Sequence, residues 1–273
     1  LFIVNIIFYI QKIFVKYWQY VGHENILPIN INLYPFTFIP NYIDEPLVLV
    51  RKLDDSISCL SNVCTHRANI IVHNPSEQKN LRCLYHGRKF SLDGEFKSMP
   101  DFEEAKNFPR DCENLKSFPV SRLGPFLFTS LEPEFNIKKI FDEIASRLSF
   151  FKFEKLVERP DLTSEHIVKA NWAIYCENYL DPFHIPFVHK ELTSVLDINQ
   201  YKTEIYDNYN LQIGYSKDDE DSFEIPEGNK DFGKKISAYY YWIFPNLMLN
   251  FYPWGLSINC LLYTSPSPRD QSG

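Results

Sequence analysis

The chain has 273 residues, 45% of them hydrophobic and 16% aromatic, with 23 Phe and 17 Tyr; that composition can fill one large core or two ordinary ones and excludes a disordered polyelectrolyte. A formal net charge of -7 offers no basic surface to a phosphate backbone, which argues against nucleic acid as a partner. Six cysteines are too sparse for a disulfide scaffold at this length, so the expected setting is reducing, intracellular and cytoplasmic.

The first residues, LFIVNIIFYIQKIFV, are apolar but interrupted by Asn5, Gln11 and Lys12. They fall short of the roughly 18–20 apolar residues that span a bilayer, and they lack a basic leader and a small-residue cleavage site. The expectation is a helix and no membrane partner. No Met stands at the start, so the true N-terminus is expected upstream.

From Leu33 to Phe128 the texture becomes β. The runs LYPFTFI, PLVLVRKL, SISCLSNV, KFSLDGEF and PFLFTS are short, apolar and aromatic, and Pro, Asn, Asp and Gly separate them. Asp55-Ser56 and Asp93-Gly94 read as hairpin tips. Within this module Cys64 and His66 form one pair, Cys83 and His86 a second, and residues 67–82 lie between them. Thiolates suit iron–sulfur chemistry, and two His replacing two of four Cys on one iron give a Rieske [2Fe–2S] centre. Both pairs are expected in loops, where backbone N–H groups and a partner can approach; Gly87 would permit that approach. Zinc is the competing ion. Structural zinc ligands come more often as Cys pairs and His pairs, whereas each pair here is mixed, and mixed pairs let one iron take both Cys and the other both His. The remaining thiols, Cys59, Cys112, Cys176 and Cys260, show no pairing logic and read as buried or incidental.

Residues 134–150 predict an amphipathic helix with Ile137, Ile140, Phe141, Ile144 and Leu148 on one face, expected to close the β module. In NWAIYCENYLDPFHIPFVH, Trp172, Cys176, Tyr179 and Phe183 recur at helical spacing, and Pro182 and Pro186 break the pattern. His184 and His189 would point about 140° apart on an ideal helix; with Pro186 between them the backbone need not be helical, and both rings can turn inward. Beyond His189, TEIYDNYNLQIGYSK and KKISAYYYWIFPNLMLNFYPWG read as strands around an acidic, solvated loop. Tyr241, Trp242, Phe244, Leu247 and Phe251 line a pocket or fill a core on equal terms. The tail from Ser265 has no apolar member and resembles read-through of a library sequencing adapter. It is set aside like a tag, with the biological chain expected to be cut near Asn259.

Taken together, CTHRA, CLYHGRKFSLDGEF and NYLDPFHIPFVH resemble the α (terminal oxygenase) subunit of Rieske non-haem iron ring-hydroxylating oxygenases, over about Trp18 to Asn259. Asn69 and Tyr85 stand where respiratory-type Rieske proteins carry an extra Cys pair, so the oxygenase-type cluster is the better match. The resemblance implies an α+β fold: an all-β Rieske [2Fe–2S] module inserted in a helix-grip catalytic domain of curved antiparallel sheet plus helices, here incomplete. It implies an N-terminal segment of the catalytic domain over 1–32, the Rieske domain over 33–150, a partial mononuclear-iron domain over 151–259 and an adapter-derived artefact over 260–273.

By the same resemblance, Cys64, His66, Cys83 and His86 hold the cluster, and His184 and His189 are imidazole ligands of a mononuclear Fe(II) that meets O2 and substrate. Asp181 corresponds to the acid that bridges toward His86 of the partner subunit; the competing reading makes it a cap before Pro182. Asn178 is expected to help hold the site. Electrons come from a reductase or ferredoxin, and a homotrimer or higher homo-oligomer is implied. The implied activity is hydroxylation or oxidative demethylation of an aromatic or other small organic substrate. A quaternary ammonium substrate is within range because Tyr and Trp faces hold cations. A stand-alone Rieske electron carrier is the alternative; it would need none of Asp181, His184 and His189. Two departures stand out. Leu84 and Arg88 replace a common Pro and Trp, which is expected to alter the docking surface for the donor. The third iron ligand, normally a later carboxylate, has no convincing substitute, Asp197 included, so the chain as written is expected to be catalytically incomplete.

Overall fold

The computed structural model describes residues 9–102, 104–217 and 222–261. The start of the predicted N-terminal helix, the acidic residues 218–221 and the tail beyond Leu261 lie outside the described residues. The chain divides into two compact units, Phe8–Phe135 and the residues from Asn136 onward.

The first unit is built from ten short strands: β1 (Gln19–His23), β2 (Leu33–Phe38), β3 (Glu45–Arg51), β4 (Ile57–Ser61), β5 (Leu81–Arg82), β6 (Lys89–Phe90), β7 (Phe96–Ser98), β8 (Ser117–Phe118), β9 (Val120–Leu123) and β10 (Phe126–Thr129). They form three sheets, ordered β2-β3-β4-β8, β1-β10-β9 and β5-β6-β7. Strand β3 carries the unbroken run Leu47–Val50, buried throughout, so both of its faces are covered, while β2 and β4 pair with its two edges. Both predicted hairpin tips form. Asp55 takes a φ of 66° between β3 and β4, and Gly94 a φ of 85° between β6 and β7. A single buried cluster joins the β-sheet side chains Val48, Val50, Leu60 and Phe90 to both Cys64 and Cys83, so the metal-type cysteines are anchored in the core.

The second unit opens with helix α1 (Ile137–Arg147), capped by the Asn136 side chain, which accepts from Lys138 N. Ile137, Ile140, Phe141 and Ile144 are buried as the period predicts. The helix is grouped with the second unit rather than with the β module that the sequence predicts it to close. Arg147 at its C-terminus donates to Asp231 and Glu204, which fastens it to the second unit, where charged partners fix a location that apolar periodicity cannot specify. Helices α2 (Trp172–Leu180), α3 (Ile185–Val188) and α4 (Lys190–Val195) follow. Then comes an antiparallel meander of β11 (Lys202–Ile205), β12 (Tyr209–Tyr215), β13 (Ile236–Ile243), β14 (Leu247–Tyr252) and β15 (Gly255–Cys260). Strand β15 runs through Cys260, which pairs with Leu247, one residue into the span expected to be artefact.

The apparent long strand after Lys235 is thus a hairpin, and its alternation sorts the aromatics onto two faces. Tyr239, Tyr241 and Phe251 are fully buried on the α1 side, where the Tyr239 hydroxyl donates to Asp231 and the Arg147 guanidinium lies 5.4 Å from the Tyr239 ring. Gln212, Tyr240 and Asn250 share a register row on the other face. There Tyr179 of α2 donates to Asn250 Oδ1 at 2.6 Å, and Gln212 donates to the Tyr179 carbonyl at 3.0 Å. These two bonds lash α2, and the histidines beyond it, to the sheet.

Candidate metal centres

The two Cys/His loops share one backbone plan. Cys64 N donates to Asn69 O and Ala68 N to Cys64 O; in the second loop Cys83 N donates to Arg88 O and Gly87 N to Cys83 O. Each loop turns on a residue with positive φ, 52° at Ala68 and 74° at Gly87. The result brings His66 and His86 together, ring centroids 4.7 Å apart. Both thiols are buried, while His66 is half-buried and His86 exposed. Sulfur donors therefore sit inside and nitrogen donors outside. That polarised set fits a binuclear group with one iron on sulfur and the other on imidazole.

Burial pushes the Cys64 thiol up; the His66 backbone N–H bonds it in the opposite direction. Burial also holds the His66 imidazole below its ordinary value, reinforced by His86 and by the charge of Arg88. Asn69, at one of the positions that mark the respiratory type, donates to Cys83 Sγ at 3.7 Å, a long hydrogen bond of the kind sulfur accepts. Leu84 and Tyr85 beside the imidazoles are exposed. Arg88 corrects the sequence reading: it is 2% exposed, so it presents nothing to a docking partner. Its Nη1 donates to Thr65 Oγ1 at 2.7 Å and to Glu113 Oε2 at 2.8 Å. Sequence gave no local hint of Glu113, which lies 25 positions away.

In the second unit α2 ends at Leu180. Asp181 is extended, with φ -90° and ψ 108°, as a residue before proline tends to be. Phe183 therefore leaves the predicted apolar face and is exposed. Pro186 does not interrupt a helix but opens the single turn α3, with His184 and His189 as its two flanking caps. Lying at the caps, the rings escape the helical divergence and face each other at 5.1 Å and 68°.

The Asp181 carboxylate serves two partners. Its Oδ1 accepts from Phe183 N at 2.8 Å, and its Oδ2 stands 3.6 Å from His184 Nδ1. His184 Nδ1 is buried and makes no hydrogen bond; a free ring nitrogen beside a second imidazole and a carboxylate is the donor chemistry that suits Fe(II). Asn178 lies exposed on α2, and among the described residues no hydrogen bond is recorded from it to either histidine. Asp197 is engaged in a turn, accepting from Asn199 N and Gln200 Nε2.

A cavity of 710 Å³ opens beside α4, with Glu191, Tyr240, Tyr252 and Trp254 in its wall and none of Asp181, His184 and His189 in its lining. Tyr252 and Trp254 stack at 4.7 Å, and Tyr240 meets Tyr252 edge-on. The pocket thus takes the neighbours of the aromatic residues expected from the sequence, because Tyr241 and Phe251 face the opposite side of the sheet.

A family model described as Rieske [2Fe-2S] domain matches residues 18–118, and one described as Ring hydroxylating alpha subunit (catalytic domain) matches residues 153–267. The chain thus carries a Rieske [2Fe-2S] domain followed by a ring-hydroxylating α-subunit catalytic domain. Among its relatives are the chloroplastic choline monooxygenase of Arabidopsis thaliana, 29% identical over 95% of this chain, and the carnitine monooxygenase oxygenase subunit of Escherichia coli K12, 29% identical over 89% of it. The chain spans 62% and 63% of the lengths of these two proteins. In fold it is similar to the quaternary ammonium Rieske monooxygenase CntA solved with L-carnitine, with a TM-score of 0.67 at 18% identity over 94% of this chain and 67% of that one. It is also similar to a naphthalene 1,2-dioxygenase, with a TM-score of 0.62 at 19% identity over 96% and 70%.

Proposed function

We propose that this protein is the terminal oxygenase component of a system that uses O2 and electrons from a reductase or ferredoxin to hydroxylate or oxidatively demethylate a small organic substrate. The observation that carries the reading is that one chain presents both a polarised Cys64/His66/Cys83/His86 quartet and a facing His184/His189 pair with Asp181 at its edge. An electron carrier alone has no use for the second set.

In this reading Cys64 and Cys83 hold one iron of a [2Fe–2S] group, His66 and His86 hold the other, and His184 and His189 hold a mononuclear iron. When bound, the first supplies single electrons and the second supplies the metal at which O2 reacts. The chain's own residues do the positioning. Asn69 bonds the Cys83 sulfur; the loops present His66 and His86 outward; Asp181 orients the His184 ring. Exposure of His86 and of the Asp181 carboxylate, 44% accessible, supports a passage of electrons between copies of the chain, with His86 on one and Asp181 on the other. The proposed assembly is a homotrimer or larger and the proposed location cytoplasmic; among the described residues no helix is long and apolar enough to cross a membrane.

For the substrate class, the names of the choline and carnitine relatives and the cavity wall point the same way. Tyr240, Tyr252 and Trp254 with the Glu191 carboxylate form a lining suited to a quaternary ammonium cation, since an ammonium over aromatic faces gains about 0.5–2 kcal/mol. The test is His184→Ala in the protein extended by its uncontaminated downstream coding sequence, which is expected to restore the third iron ligand, supplied with its electron donor, a panel of quaternary amines and aromatic substrates, and an oxygen electrode. Substrate-dependent O2 uptake should be lost while the visible spectrum of the Rieske group stays. Unchanged uptake would reduce the protein to an electron carrier, and a colourless, zinc-loaded preparation would remove the Rieske reading altogether.

A further inference from the structure

The position after Gly87 holds a charge where buried charges are costly. Arg88 is 3% exposed and Glu113 6% by side chain, and stripping water from two charges is repaid only by close, well-bonded partners. Arg88 is bonded to both ligand loops. Its carbonyl accepts from Cys83 N at 2.9 Å, and its Nη1 donates to Thr65 Oγ1 at 2.7 Å, the residue between Cys64 and His66. Thr65 Oγ1 in turn donates to the Glu113 carbonyl at 2.8 Å. The guanidinium lies over the rings of Phe96 and Phe108, 5.1 and 5.6 Å from their centroids, and its Nε makes no hydrogen bond. Glu113 is shared with Arg110, but Arg110 is 68% exposed, so its charge is screened by water. What remains is a fixed, desolvated plus and minus packed against the backbone that carries three of the four candidate cluster ligands.

The reduction potential of a [2Fe–2S] group responds to nearby net charge, hydrogen bonds and solvent exposure, and an unscreened charge acts far more strongly than one in water. We propose that Arg88 and Glu113 are positioning residues that set the potential of the cluster through opposed charges, Arg88 raising it and Glu113 lowering it. This rests on the reading of Cys64, His66, Cys83 and His86 as cluster ligands. A merely structural strut would behave differently. It would lose the cluster or disturb it in one direction whichever partner was neutralised, whereas opposed charges move the potential in opposite directions.

The measurement is a redox titration of the cluster in the full chain, followed by electron paramagnetic resonance, on wild type, Arg88→Met, Arg88→Lys, Glu113→Gln and the double variant Arg88→Met/Glu113→Gln. Arg88→Met should shift the equilibrium about tenfold toward the oxidised form, a fall of about 59 mV for one electron. Glu113→Gln should shift it about tenfold the other way, and Arg88→Lys, which keeps the charge, should stay within about threefold of wild type. Because Arg88→Met leaves the buried carboxylate with only the exposed Arg110 as a cationic partner and can fail to fold, the double variant repeats the comparison without that fault. It should lie about tenfold below Glu113→Gln. The resonance lineshape should not change in any of them. Shifts in the same direction, or a difference of less than about threefold between Glu113→Gln and the double variant, would overturn the proposal. A wild-type protein with no Rieske signal would instead refute the ligand assignment on which it rests.

Discussion

Ala68 and Gly87 hold the same place in the two ligand loops, four residues after Cys64 and Cys83, yet only one of them is the residue that a positive φ favours. At φ 52° Ala68 pays a steric cost of roughly 1–2 kcal/mol in the left-handed region, offset by the smaller entropy it loses on folding relative to glycine. Ala68→Gly is therefore expected to be neutral or to stabilise by up to about 1 kcal/mol. Gly87→Ala runs the other way. At φ 74° the added Cβ would also stand 3.2 Å from Pro100 Cγ, so a loss of about 1–2 kcal/mol is expected. Urea denaturation of the two variants beside wild type checks the opposed signs. Gly87 could be recognised from sequence as a point of close approach; Ala68 could not, because alanine carries no mark of the conformation that its loop imposes.

Elements in this chain are placed by long-range polar contacts as much as by periodicity. Helix α1 was legible from Ile137, Ile140, Phe141 and Ile144, but its destination depended on Arg147, Glu204 and Asp231, which are scattered along the sequence and meet only in space. Tyr179 was legible as part of a helical face, but not its bond to Asn250. The single turn α3 is too short to leave a periodic signature, so Pro186 looked like a break when it is a start. The Arg147 cluster makes a pH prediction. Burial opposes ionisation of Glu204, but hydrogen bonds from Arg147 and Lys202 prevail and hold its carboxyl at about 2, below the ordinary 4.5; Asp231 is likewise held low, burial again outweighed by bonds from Arg147 and Lys234. A depressed carboxylate stabilises above its unfolded value and loses that contribution as pH falls toward its folded one. The second unit should then weaken between about pH 4.5 and pH 2, with Glu204 accounting for about 3 kcal/mol. Glu204→Gln should show a shallower decline over that window in chemical denaturation, and an equally steep one would contradict the assignment.

At the scale of the molecule, the β texture between Leu33 and Phe128 and the approach of His66 to His86 and of His184 to His189 were legible because strands and short loops are encoded by neighbours in sequence. The supporting contacts were not: Thr65, Arg88 and Glu113 come from separate segments, and the cavity is assembled from α4 and two strands on the sheet face opposite the one whose aromatics stood out. This division has a measurable consequence for metal removal. On the proposed reading of Cys64, His66, Cys83 and His86, a ligand set built from two loops and anchored by Cys64 and Cys83 in the core cluster couples occupancy to local stability, since any group that binds only the folded form stabilises it. Hydrogen exchange read segment by segment, before and after anaerobic chelation of iron, should lose protection first around residues 62–72 and 81–90. It should then fall in the turn holding Glu113, because Thr65 and Arg88 bridge to it. Strands β13 and β14, whose Tyr239, Tyr241 and Phe251 are buried, should keep their slow exchange. Uniform loss across all strands would mean that the cluster loops do not unfold as a local unit, and the loop-centred account of the first unit would have to be abandoned.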